Sequence, residues 1–117
     1  MTRAAFAKLV AEAVTLIPAK FRREMKNLAL VVEEEPSAEL LEEMEIEPPD
    51  SLYGLYQGTP LTERDGFYSA LPDRVLIFRG PILRACETRR QVIREVRETV
   101  QHELGHYFGL EEDELPF

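Results

Sequence analysis

The stretch TRRQVIREVRETVQHELGHYFG, residues 88–109, decides how this chain is read. Thr88 with Gln91 three residues later matches a capping box, in which hydroxyl and amide satisfy two backbone N–H groups at a helix start. Gly109 stands where a helix can end in a left-handed conformation. The residues between are therefore predicted to form one helix running to Phe108. At 100° per residue that helix divides into three faces. Val92, Val96, Val100, Leu104 and Tyr107 form a core stripe, and Arg90, Arg94, Arg97 and Gln101 face solvent. Glu95, Thr99, His102 and His106 line up as a third strip beside the core stripe. Arg89 and Arg90 in the first turn oppose the helix dipole, a small local penalty.

Both histidines of the chain lie on that third strip, four residues apart. Side chains at i and i+4 are neighbours, with Cβ atoms about 5–6 Å apart. Two imidazoles at that spacing can converge on one zinc ion at Zn–N distances of about 2.0–2.1 Å. Glu103 projects to the side of the pair, where its carboxylate can reach a metal-bound water without occupying a coordination position. His102-Glu103-Leu104-Gly105-His106 is thus the H-E-x-x-H pattern of zinc metalloproteases. The expected chemistry is hydrolysis of a peptide bond by metal-activated water, with Glu103 as general base.

A catalytic zinc takes three protein ligands and keeps one position open for water. There is no third histidine, and Cys86 is the lone thiol, so a carboxylate is expected to complete the set. Glu112 lies three residues beyond Gly109, where the extended H-E-x-x-H-x-x-G-x-x pattern places its third ligand. Glu111 and Asp113 are close rivals. Tyr56, Tyr68 and Tyr107 are candidates for stabilising the oxyanion, and the sequence does not choose among them.

Outward from the motif the chain alternates helices and short strands. Residues 2–17 read as an amphipathic helix capped by Thr2, with Phe6, Leu9, Val10, Ala13, Val14 and Ile17 on one stripe. Pro18 should stop it. Strands are expected at Leu28 to Val32, Leu52 to Gln57 and Arg74 to Arg79, with a short helix from Ser37 to Met44. Gly80-Pro81 reads as a break, after which Ile82-Leu83 could resume the third strand.

The 117 residues argue for one domain spanning 1–117. With 44% hydrophobic and 31% charged residues, the composition is that of a soluble globular protein. No apolar run approaches the roughly 20 residues of a membrane span, and the N-terminal residues lack a secretory-signal pattern. One cysteine precludes an intrachain disulfide and fits a cytoplasmic setting. The net charge of −8 opposes general nucleic-acid binding. Nine acidic residues and no basic one lie between Glu33 and Asp50, read as a solvated linker or loop.

Several stretches together resemble the small bacterial zincin-like metallopeptidase family, often described as minimal zincins. They are Leu55 to Thr62 (LYQGTPLT), Leu71 to Arg74 (LPDR), Phe78 to Leu83 (FRGPIL) and His102 to Gly109. The family usually has Asp where this chain has Glu112, so a carboxylate is kept on a longer side chain. The resemblance implies an α+β fold, a small twisted mixed β-sheet packed against the N-terminal helix and the motif-bearing C-terminal helix. It implies zinc as cofactor and a peptide or protein as substrate. Zincins commonly take a peptide as an added strand on an exposed sheet edge, for which Arg74 to Arg79 is the candidate here, a fully paired core strand being the equal alternative for that segment. Two other readings remain at this point: a non-catalytic, metal-stabilised partner-binding domain, and a different metal-dependent hydrolase such as a nuclease.

Overall fold

A computed structural model describes residues 1–58 and 73–110. The elements run α1 (Arg3–Thr15), α2 (Ala19–Arg22), a 3-10 turn (Arg23–Met25), β1 (Leu28–Glu33), α3 (Ala38–Glu43), β2 (Gly54–Gln57), β3 (Asp73–Phe78), α4 (Arg79–Ala85) and α5 (Arg89–Phe108). The three strands form one mixed sheet in the order β1-β3-β2, with β1 parallel and β2 antiparallel to β3. Helix α1 packs against α5, and α5 lies against β2 and β3. This is the α+β arrangement expected from the resemblance.

The core is built where the apolar periodicities place it. Phe6, Leu9, Val10, Ala13 and Ile17 from the first helical segment meet Val92, Val96, Val100, Leu104 and Tyr107 of α5. Val75 and Ile77 of β3 close that core, and Leu28 and Ile82 add to it. Arg90 and Arg94 are exposed as expected, whereas Arg97 and Gln101 are half-buried.

Two expectations are corrected. The strand read as Arg74 to Arg79 does not form an edge; it is the central strand, β3, between β1 and β2. The apolar run Val75-Leu76-Ile77-Phe78 is buried on both faces, which is the signature of a covered central strand. Nor does Ile82-Leu83 resume it. Arg79 begins helix α4, and Pro81 sits in that helix's first turn, where a missing N–H leaves no helical bond unmade. Ile82 is thereby turned into the core.

The acidic stretch is less of a linker than its composition suggests. Glu34 pairs with both Arg3 and Arg79, Glu35 pairs with Arg84, and Ser37 caps α3 by accepting the Leu40 N–H. The Arg3–Glu34 and Arg84–Glu35 pairs are about half exposed and contribute little individually, and Arg79 is the more buried partner of Glu34.

Helix α5 carries both expected terminal devices. The Thr88 hydroxyl accepts the Gln91 N–H at 3.1 Å, and the Gln91 amide oxygen accepts the Thr88 N–H at 3.1 Å. At the other end Gly109 has φ 73°, in the left-handed region. Arg89 in the first turn is directed to Glu12 of α1 at 3.0 Å. Thr88→Ala is expected to cost about 1 kcal/mol and to lower the thermal midpoint by about 4 °C. An unchanged midpoint in a thermal melt would contradict the capping role.

Candidate metal centre

The last three turns of α5 present the motif to one open cleft of about 360 Å³. Its walls are the α5 residues Glu95, Glu98, Thr99, His102, Glu103 and His106 on one side. Opposite them are Met44 and the segment from Ser51 to Leu55 that leads into β2. All four residues of the third helical strip line it, as their spacing predicts.

The two imidazoles face each other with ring centroids 5.0 Å apart and planes tilted by 66°. Their side chains are 43% and 52% exposed, so both reach the cleft rather than the core. Glu103, by contrast, is buried. Its Oε1 accepts the backbone N–H of Tyr56 at 2.8 Å and lies 3.4 Å from His106 Nδ1. Its Oε2 lies 4.0 Å from His102 Nε2 and accepts no hydrogen bond among the described residues.

The Tyr56 bond follows from the ladder between β2 and β3. Phe78 donates its N–H to Tyr53 O at 2.8 Å, which sets the alternation along β2. Tyr53, Leu55 and Gln57 turn their backbone groups to β3, and Gly54 and Tyr56 turn theirs outward. The outward N–H of Tyr56 is the one Glu103 accepts. Such an approach requires β2 to sit very close to α5, and Gly54 permits it. A Cβ on Gly54 would lie 2.5 Å from Thr99 Cγ2 and 2.9 Å from the Leu76 carbonyl oxygen.

The donor set fits a borderline-soft divalent metal. Imidazole nitrogens are suited to zinc, and these two rings share one face of one helix at the mouth of a cleft. Among the described residues no group of three His, Cys, Asp or Glu side chains gathers around one point. The carboxylate expected to complete the set, Glu112 with its rivals Glu111 and Asp113, lies outside the described residues.

Of the tyrosines considered for oxyanion stabilisation, Tyr68 also lies outside them. Tyr107 is buried in the core, its ring 5.9 Å from that of Tyr56. The Tyr56 hydroxyl donates to the buried Asp73 at 2.9 Å. Neither ring lines the cleft; Tyr53, which was not among the candidates, does. Cys86 packs half-buried against the core, and burial pushes its thiol up, the opposite of an activated nucleophile.

Gly54→Ala should cost about 1–3 kcal/mol, the usual penalty of overpacking. Adding Thr99→Ser removes the nearer clashing carbon, so part of that loss should return. Urea unfolding of both proteins checks this, and a double variant no more stable than Gly54→Ala would refute the close contact.

Comparison with known proteins agrees with the fold. A conserved hypothetical protein from Thermus thermophilus superposes with a TM-score of 0.61 at 23% identity, over 92% of this chain and 94% of that one. No curated protein matches the chain significantly. The family model for zincin-like metallopeptidases matches residues 25–116, which takes in all three strands and the motif helix. The chain belongs to the zincin-like metallopeptidase family.

Proposed function

We propose that this protein is a zinc-dependent peptidase in which His102, His106 and a carboxylate of residues 111–113, Glu112 foremost, hold the metal and Glu103 is the general base. The observation that carries the proposal is the placement of Glu103: a buried carboxylate, pinned by a backbone N–H, beside two cleft-facing imidazoles. Bound zinc supplies a lowered pKa for a ligating water and polarisation of the scissile carbonyl.

The chain's own residues divide the remaining work. Oε1 of Glu103 is occupied by the Tyr56 N–H, so the carboxylate cannot swing away from the cleft. Oε2 is left to accept a proton from the attacking water and to return it to the leaving amine. The outward backbone groups of Gly54 lie on the cleft side of β2 and offer a peptide main-chain hydrogen bonds. In this reading β2 takes the role first given to Arg74–Arg79, because β3 has neighbours on both sides.

Half-exposed histidines at an open cleft favour a catalytic site over a closed structural one. Glu95 and Glu98 in the same cleft oppose a nucleic-acid phosphate, which disfavours a nuclease. Among the described residues no helix is long and apolar enough to cross a membrane.

Glu103→Gln separates these readings. The amide oxygen can still accept the Tyr56 N–H, so the fold and the zinc content should persist. Cleavage of a peptide library should fall by about 10²–10⁴-fold, the usual contribution of a general base. Zinc content, melting temperature and cleavage rate are to be read on the same two preparations. Equal rates in the two proteins would remove Glu103 from the mechanism, and no cleavage by either would leave a metal-binding module.

A further inference from the structure

The cleft runs well beyond the motif. From His106 back to Glu95 is eleven residues of α5, about 16 Å along the helix axis. The far end has a composition of its own. Glu95 and Glu98 line it, and neither carboxylate is in an ion pair among the described residues. That differs from Glu12, Glu34 and Glu35, each of which faces an arginine. Burial, and then the neighbouring Glu98, push the Glu95 carboxyl above its usual range, with Arg94 opposing them.

Thr99 lies between these acids and the histidines on the same wall. It is only 8% exposed, it lines the cleft, and its hydroxyl has no hydrogen-bond partner among the described residues. That hydroxyl is open to accept a hydrogen bond from a group in the cleft. Across from it stand Met44 and Tyr53, 45% and 37% exposed, with Leu52 beside them. Met44 and Tyr53 are two of the four large apolar side chains exposed among the described residues, and both are in this cleft. One wall is thus anionic with a hydroxyl between the acids and the histidines, and the facing wall is largely apolar.

We propose that this end of the cleft is a subsite for an arginine or lysine side chain of the substrate, so that the enzyme selects basic peptides. The inference rests on the peptidase reading of His102, Glu103 and His106. A long basic side chain has an apolar stem and a cationic head, which match the Met44–Leu52–Tyr53 wall and the Glu95–Glu98 wall in turn. The Tyr53 ring can add a cation–π contact. Arginine suits the site better than lysine, because its planar head can give hydrogen bonds to both carboxylates and to the Thr99 hydroxyl at once. A bare metal cation suits it less, since two carboxylates make no group of three metal-binding side chains. Glu98 precedes His102 by one helical turn, about 6 Å along the axis. An extended peptide advances about 3.3 Å per residue, so the basic residue lies within about two positions of the scissile bond.

The test uses fluorescent peptides in which one arginine is moved along a neutral background, each paired with a twin carrying the isosteric, uncharged citrulline. Binding is read by anisotropy on the zinc-loaded Glu103→Gln protein, and cleavage by mass spectrometry on the zinc-loaded wild type. With the arginine in the favoured position, its peptide should bind about fivefold to tenfold more tightly than its twin. Adding Glu95→Gln and Glu98→Gln should bring that ratio close to one, and Glu95→Lys with Glu98→Lys should reverse it in favour of a glutamate-bearing peptide. Equal binding of the twins, a ratio that survives the double Gln change, or no binding of any peptide would overturn the subsite. A charge-dependent ratio without cleavage of any peptide supports the subsite and retires the peptidase reading. Cleavage of both twins with equal efficiency does the reverse.

Discussion

A single hydrogen bond, from the Tyr56 backbone N–H to Oε1 of Glu103 at 2.8 Å, ties the sheet to the motif helix. It does two things at once. It occupies a donor on the outward side of a short strand, where an unpaired N–H invites unwanted pairing. It also holds a buried carboxylate in one orientation beside the imidazoles, with one oxygen spent and the other available. Much of the remaining structure makes that bond possible. Gly54 lets β2 approach α5, β3 holds β2 in register, and the α1–α5 core holds the helix still. Preorganisation of this kind is what a general base requires, because a side chain already aimed loses little freedom when substrate arrives.

The features legible in the sequence were those carried by neighbours along the chain. The Thr88–Gln91 box, Gly109 and the i, i+4 histidines each involve residues within one turn, and each stands where expected. The four-residue strip from Glu95 to His106 lines the cleft because helical geometry alone places it on one face. The Tyr56–Glu103 bond was not legible. It joins residues 47 apart and uses a backbone donor, which every residue except proline carries alike. The central position of β3 has a signal in its unbroken apolar run, whereas a half-exposed edge strand would alternate apolar with polar residues. Gly80-Pro81 misled for a different reason: the same pair that breaks a strand is tolerated in the first turn of a helix.

Charge is distributed unevenly over the molecule, and its arrangement bears on function more than its sum does. Glu34 and Glu35 are engaged by arginines from α1 and α4, so part of the acidic stretch fastens elements together. Glu95 and Glu98 have no such arginine among the described residues and face the cleft. Acids without an ion pair in a concave, partly apolar space make a field that favours a cationic ligand.

The proposed chemistry depends on His102 and His106 forming one side of an open metal site. Zinc K-edge absorption on the zinc-loaded protein tests it most directly. The expected spectrum shows two imidazole nitrogens at about 2.0–2.1 Å, with oxygen donors completing the shell and a change on adding a small anion such as azide. A sulfur ligand, fewer than two imidazoles, or a spectrum unaffected by added anion would contradict it.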